Sequence, residues 1–509
     1  MAFEANNFYV AKKTILPTSD FNIECNIEIN EEISSIFAVL GNVFVNTKEV
    51  LAGSVEYSGV IETCIIYMTT NNEVGSVHMA CPFNSKFVDQ NIMLDGKAIV
   101  FAKILGYNIA QITEKNISVN FNIEQSGFVV YNQEVESVTT KDEDMLLKEE
   151  GIKVVHFLGD TKHEFNSQGI LNTREPIKKL LLCESQASVK NVEPNLNFVT
   201  VTGEVVSRVL YITESDRFES AYIFDDFKQE VEFDGLVNES QVEVNAFVKF
   251  NEVKAVVDNQ EGGAKTEIDV PVELCLMAYE ESEVKVVSDL YSTEHDVLIA
   301  TESFDMTKNL PIEIIEGKID GTLEIEDDKP RVDKILFTCG NYVNITNVYI
   351  DDELLTTEGV ARTNVVYLND ETATLQSVEL EVPFVLNERV NNLENANMNA
   401  FAVLTDVDVV VKKGRELFYD AKIKVVIQSN KNIVSAVISK VDIEDEVLEK
   451  DYAMEIVFGK EGQTSWDIAK ANRVREDMLL KQNPEVVFPL TEDKELVLFY
   501  QNTKNTKNI

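Results

Sequence analysis

The side chains that could do chemistry are sparse in this sequence. Its only imidazoles are His78, His156, His163 and His295. His156 and His163 stand seven apart, which one helix face would share, but no cysteine or carboxylate joins them at metal-ligand spacing. There is no G-x-S-x-G elbow for an activated serine, no G-x-x-x-x-G-K-[ST] phosphate loop and no G-x-G-x-x-G dinucleotide turn. The acidic clusters Glu326-Asp327-Asp328 and Asp351-Asp352-Glu353 lack the alternating spacing and glycine of a calcium loop, so they read as solvated turns. With 88 Asp and Glu in the chain, some pair at glycosidase spacing is bound to occur and carries little weight. No catalytic residue, metal ligand or cofactor is predicted, and the reading is a protein that is not an enzyme.

Side chains that bind are concentrated near the C-terminus. Trp466 is the only tryptophan, and Arg473, Arg475 and Lys481 follow it closely. Tryptophan and arginine are the side chains most often found at the energetic centre of protein interfaces. Residues 451–509 hold 10 Asp/Glu and 8 Lys/Arg, a net of −2, whereas the rest of the chain carries −41. Only this end is near neutral, so a partner approaches it with least acidic repulsion. Trp466, Arg473, Arg475 and Lys481 are the predicted partner-binding residues, with most of the Trp466 indole expected to be buried.

Composition bounds the rest. The 509 residues suggest three or four domains; 44% are hydrophobic, and 10 Pro with 21 Gly point to an ordered chain. A net charge of −43 makes nucleic acid and anionic membranes poor partners. The start MAFEANNFYVAKK lacks the basic-then-apolar pattern of a secretory signal, and no run approaches the roughly 18 apolar residues that span a bilayer. Cys25, Cys64, Cys81, Cys183, Cys275 and Cys339 are scattered without a C-x-x-C pair, so all six are expected as unpaired thiols of a cytoplasmic protein.

The elements that must carry these residues follow from a repeat. GVIETCIIYMTTNNEVGSVHMACPF begins at Gly59, GEVVSRVLYITESDRFESAYIFDDF at Gly203, and GVARTNVVYLNDETATLQSVELEVPF at Gly359. Each Gly precedes a Tyr by 8 positions (Tyr67, Tyr211, Tyr367), and a Phe closes the unit 16, 16 and 17 positions later (Phe83, Phe227, Phe384). Val, Ile, Tyr and Phe arms around Asn71-Asn72, Glu214-Ser215-Asp216 and Asn369-Asp370 predict three β-hairpins. Tyr and Phe are then cross-strand core residues, and the Gly marks a bulge or a close backbone approach. A strand-like stretch precedes each hairpin, and others containing Phe101, Phe247 and Phe401 follow it. The predicted fold is mainly β with a small α+β C-terminal domain. It comprises three tandem antiparallel β-sandwich-like repeats over 8–136, 151–285 and 288–446, with 139–150 as a linker or short helix. Within 454–500, a strand at 454–458, the N-cap Thr464, a helix through Trp466, a helix near 476–482 stopped by Pro484, and a strand at 495–500 predict a β-α-α-β unit.

The C-terminal run Glu461-Gly462-Gln463-Thr464-Ser465-Trp466-Asp467-Ile468-Ala469, followed by Asn483-Pro484, resembles the LysM family over about 47 residues. LysM domains bind N-acetylglucosamine polymers between two loops, and the resemblance places that groove at Gly462, Gln463, Thr464, Asn483 and Pro484. The family's Pro-Gly-x-x-Leu ending is replaced by Pro489-Leu490-Thr491-Glu492-Asp493-Lys494-Glu495-Leu496. The three hairpin units resemble the SPOCS domains of spore-coat proteins. Tandem SPOCS domains with one terminal LysM domain are similar to clostridial spore-coat morphogenetic proteins. That resemblance implies a scaffold in the mother-cell cytoplasm at the forespore surface, with the coat basement-layer ATPase SpoIVA as partner, docked through the LysM domain. The alternatives are a peptidoglycan-binding module that targets cell wall or cortex, and a hydrolase with unrecognised residues.

Overall fold

Runs of Val, Ile, Tyr and Phe separated by short Asn, Asp and Gly turns satisfy backbone hydrogen bonds by pairing as strands. The computed structural model is mainly β, arranged in several antiparallel sheets with two short helices. It describes residues 4–113, 115–139, 145–260, 262–351, 353–372, 374–390, 393–447 and 454–499.

The first repeat contains β1 (Glu4–Glu28), β2 (Ile33–Leu51), β3 (Ser54–Thr69), β4 (Val74–Val88), β5 (Lys97–Ile112) and β6 (Asn116–Thr139). They form two sheets ordered β2-β3-β4 and β1-β6-β5, with Leu16, Tyr57, Tyr67, Phe83 and Phe121 buried between them. The second runs from β7 (Met145–Thr173) through β8 (Ile177–Asn195), β9 (Phe198–Thr213), β10 (Phe218–Glu232), β11 (Gln241–Val248) and β12 (Lys254–Gln260) to β13 (Gly263–Ser292). Its sheets are β8-β9-β10 and β11-β13-β12, with β7 also on β13. The third comprises β14 (His295–Asn309), β15 (Glu313–Glu324), β16 (Val332–Asp351), β17 (Leu354–Asn369), β18 (Leu375–Arg389), β19 (Asn397–Lys413) and β20 (Glu416–Val447). Here β16-β17-β18 faces the sheet in which β14, β15 and β19 all pair with β20.

The hairpin register explains the repeated Gly. Gly59, Gly203 and Gly359 sit directly opposite Phe83, Phe227 and Phe384. At each position a methyl group would lie under 3 Å from the Phe ring, so the ring rests on bare backbone. The matching Tyr67, Tyr211 and Tyr367 are buried. At the first two turns Asn72 and Asp216 take φ of 62° and 56°, a conformation that Asn and Asp tolerate.

Two expectations change. The segment 145–150, expected in a linker or short helix, is the start of β7; Glu150, Glu149 and Lys148 pair with Val286, Val287 and Asp289. A long partner strand satisfies its backbone in spite of its charge; residues 140–144 lie outside the described ones. Cys25 and Cys81, expected as free thiols, form a disulfide. The facing sheets bring β1 over β4 and place the two Cα atoms 5.9 Å apart, although the residues are 56 positions apart in sequence. Cys64, Cys183, Cys275 and Cys339 are free and buried.

The repeats also interlock. Their first and last strands extend beyond these sheets and pack as ribbons around a common core containing Phe8, Phe157, Tyr279 and Phe304. Lys12 reaches Asp305 at 2.8 Å, Lys308 reaches Glu281 at 2.5 Å, and Lys13 meets Glu243 at 3.0 Å in a largely buried pair. Phe101 packs on Phe247 and Phe401 at ring distances of 6.4 and 5.1 Å, so one equivalent aromatic from each repeat meets at the centre. On the hairpin side, Leu40, Leu182, Leu210, Phe337 and Val366 form another shared core. There Lys179 donates to the Val74 carbonyl, Arg208 to Thr338, and Arg362 to the Leu105 carbonyl, linking each pair of repeats.

Candidate partner-binding site

The C-terminal unit consists of β21 (Met454–Gly459), α1 (Ser465–Ala471), α2 (Glu476–Gln482) and β22 (Lys494–Phe499), with β21 and β22 antiparallel. Thr464 caps α1: its hydroxyl accepts from the Asp467 N–H, and the Asp467 carboxylate accepts from the Thr464 N–H at 2.9 Å. This reciprocal pair satisfies two N–H groups that a helix start leaves without partners. The Thr464 bonds hold the Asp467 carboxyl below its ordinary range. Ile468, Leu479, Leu496 and Leu498 fill the small core beneath the helices.

Trp466 belongs to that core and only 8% of it is exposed. Its ring meets Tyr291 edge-on at 5.0 Å, and its indole N–H donates to Asp289 at 2.8 Å. Lys470 reaches the other Asp289 oxygen at 2.5 Å, and the Tyr291 hydroxyl donates to the Val474 carbonyl at 2.6 Å. Arg473 pairs with Asp296. Trp466 and Arg473 therefore dock the unit onto β13 and β14. Burial opposes the charge on Asp289, but Lys470 and the indole outweigh it and hold its carboxyl below the usual range.

Arg475 and Lys481 turn toward solvent instead. Their side chains are 52% and 76% exposed, and both approach Asp477, at 3.3 and 3.1 Å. The four predicted partner residues thus divide into an inward pair, Trp466 and Arg473, and an outward pair, Arg475 and Lys481.

The residues at the glycan-groove positions are largely occupied by the fold. Gly462, at φ +87°, donates its N–H to the Leu490 carbonyl at 2.7 Å, and Leu490 donates back to the Gln463 carbonyl at 2.9 Å. The Gln463 side chain also accepts from the Lys460 N–H. Thr464 is the cap. Asn483 is buried; its amide donates to the Leu479 and Val497 carbonyls and accepts from the Val497 N–H. Pro484 is exposed.

Elsewhere, His156 and His163 lie on β7, with Ser282 and Gln229 as their partners at 2.8 and 3.3 Å. Among the described residues no three His, Cys, Asp or Glu gather at metal-binding distance. A cavity of about 280 Å³ opens where the repeats meet, lined in part by Tyr107, Glu184, Asn341, Tyr342 and Asn364. Burial pushes the Glu184 carboxyl up, against the opposing pull of Arg208. Sequence reasoning missed the docking residues Asp289, Tyr291 and Asp296, whose local sequence reads only as the junction between two repeats. It also missed an apolar face on β21, although the alternation Met454, Ile456, Phe458 signals it.

No helix among the described residues is long and apolar enough to cross a membrane. Comparison with known protein families, curated proteins and solved structures yields no match.

Proposed function

We propose that the chain is a non-enzymatic scaffold of endospore coat assembly, SipL-like in organisation. It links the coat basement layer to the forespore surface by binding the morphogenetic ATPase SpoIVA through its C-terminal unit. On this reading 8–136, 151–285 and 288–446 are SPOCS-like repeats and 454–500 is a LysM-like domain. The observation that carries the reading is the order of parts: three Gly-Tyr-Phe hairpins in equivalent register, then a capped β-α-α-β unit bearing the G-Q-T-S-W-D-I-A turn. Placement in the mother-cell cytoplasm rests on the domain resemblance alone, because the Cys25–Cys81 bond removes support from cysteine usage.

A protein ligand is favoured over a glycan. The two loops that would flank a sugar chain are tied together by the Gly462–Leu490 and Leu490–Gln463 bonds, and Asn483 spends its amide on β22. Arg475 and Lys481 meanwhile stay exposed on an otherwise strongly acidic chain. The test is capture of purified SpoIVA by the full chain and by Arg475→Glu/Lys481→Glu. Loss in the variant, with Trp466 emission unchanged, supports the reading, and equal capture by both refutes the assigned surface. Firm retention of the chain on an N-acetylglucosamine polymer would favour the cell-wall alternative.

A further inference from the structure

The two edges of the C-terminal sheet are treated differently by the fold. On β22, the Val497 N–H and carbonyl are both taken by the Asn483 side chain, and those of Phe499 by the Gln482 side chain. Two amide side chains thus close that edge. Their bonds also fix the phase of the ladder: Val497 and Phe499 direct their backbone groups away from β21. Ile456 and Met454, directly opposite them, must then direct theirs away from β22. No other described strand pairs with β21. Among the described residues, its outer edge therefore presents a row of donors and acceptors that no strand takes up.

The side chains beside that row are apolar. Met454, Ile456 and Phe458 alternate onto the face opposite the helices and are 52%, 52% and 72% exposed, with exposed Phe499 across the ladder from Met454. An open, apolar edge strand is a template for another strand, and proteins ordinarily blunt such edges with charge, proline or a cover. Here one edge is blunted and the other is not.

We infer that the outer edge of β21 is a strand-addition site that takes an extended, apolar segment flanked by basic residues. It rests on the reading that the C-terminal unit is the partner-binding part, and adds to the Arg475 and Lys481 surface a second contact, for a separate extended segment of the same partner. Charge selects the occupant. Around the Phe458 end of the strand the exposed acids Glu461, Glu492, Asp493 and Glu495 outnumber the exposed bases Lys460 and Lys494, and Glu495 lies directly across from Phe458. An incoming strand gains from lysine or arginine there, and its main chain supplies the hydrogen bonds while alternate side chains extend the apolar face. A second copy of this chain is disfavoured, because each copy carries −43.

The test uses the full chain, a capped heptapeptide of alternating valine and threonine with lysine at both ends, the same peptide with glutamate ends, and purified SpoIVA. Ile456→Pro deletes an outward N–H without touching the ladder to β22. Phe458→Ser removes apolar surface and serves if the proline variant fails to fold; emission of the sole tryptophan, Trp466, reports folding. The lysine peptide is expected to bind about tenfold or more tighter than the glutamate one, to slow exchange of the Ile456 and Phe458 amides, and to be lost in Ile456→Pro together with the ATPase. Slow exchange of those two amides in the free chain overturns the inference, as does lack of binding by the lysine peptide. ATPase capture that survives Ile456→Pro but fails in Arg475→Glu/Lys481→Glu overturns it while leaving the functional reading standing. Peptide binding at the edge without ATPase capture does the reverse.

Discussion

Replacing Asp289 by alanine should loosen the C-terminal unit from the β-core while leaving both folded. Asp289 accepts the Trp466 indole N–H at 2.8 Å and a Lys470 hydrogen at 2.5 Å. The indole is buried, so removing its acceptor costs about 1–3 kcal/mol. The Lys470 and Asp289 side chains are 38% and 29% exposed, so solvent screening limits their ion pair to about 1 kcal/mol or less. The expected loss is about 2–3 kcal/mol of docking free energy, roughly 30- to 150-fold in the docked population. Trp466 is the sole tryptophan, so fluorescence and near-ultraviolet dichroism read this interface without background. The emission should shift to the red and the near-ultraviolet signal should weaken, with the far-ultraviolet β signal kept. Acid should reproduce the effect in the wild type. The Asp289 carboxyl is held below its ordinary range in the folded state, so its contribution is full above the unfolded pKa of about 4 and is lost as pH falls through the lower folded value. Asp289→Asn should remove most of that acid dependence. A Trp466 spectrum unchanged in Asp289→Ala, or an acid transition that Asp289→Asn leaves in place, would refute this account of the docking.

Gly203→Ala should cost about 1–3 kcal/mol in denaturant unfolding, because the new methyl meets both the Phe227 ring and the Ser188 carbonyl. Arg208→Ala should be worse, about 3–5 kcal/mol, since it strips the Thr338 bonds and removes the nearest cation from partly buried Glu184; differential scanning calorimetry reads the loss. Thiol titration of the denatured, unreduced chain should count four reactive cysteines; six would refute the Cys25–Cys81 bond. Arg475→Glu/Lys481→Glu should abolish ATPase capture by about tenfold or more with Trp466 emission unchanged, measured by interferometry.

The hairpins are legible in the sequence because their information is local. The Gly, the Tyr eight positions on and the closing Phe all belong to one pair of adjacent strands, where turn residues set the register. The β-α-α-β unit is legible for the same reason: cap, helix and proline stop lie within a few residues of one another. Strand order is not legible, because β1 meets β6 and β7 meets β13 across 88 to 147 residues, and many pairings satisfy the same alternation. The strand-like stretch containing Phe247 does not continue unbroken: the chain turns at Phe250–Glu252, which separates β11 from β12. Trp466 is legible as a buried residue with a polar handle, whereas its acceptor 177 positions away is not. Cys25 and Cys81 fail similarly: only the stacking of two sheets brings them together.

The interlocked core decides which experiments on this chain are clean. Three separate hydrophobic clusters lie within the sheets of 8–136, 151–285 and 288–446, which invites dissection into repeats. Yet the ribbon core draws Phe8 and Val135 from the first repeat, Val154 and Tyr279 from the second, and Phe304 and Val437 from the third. Deleting any one repeat would bare the apolar side of the other two ribbons, together with the Leu182–Phe337 surface at the hairpin end. Each buried large side chain so exposed forfeits about 1.5–3 kcal/mol, and a handful exceeds the total stability of an ordinary domain. Loss of partner binding in a repeat deletion would therefore report collapse of the core as readily as loss of a contact. Removing the C-terminal unit is milder but also uncovers Tyr291 and leaves Asp289 and Asp296 without their cations. Point changes at exposed positions avoid both problems: Arg475, Lys481, Ile456 and Phe458 are the positions at which a lost partner can be read as a lost contact.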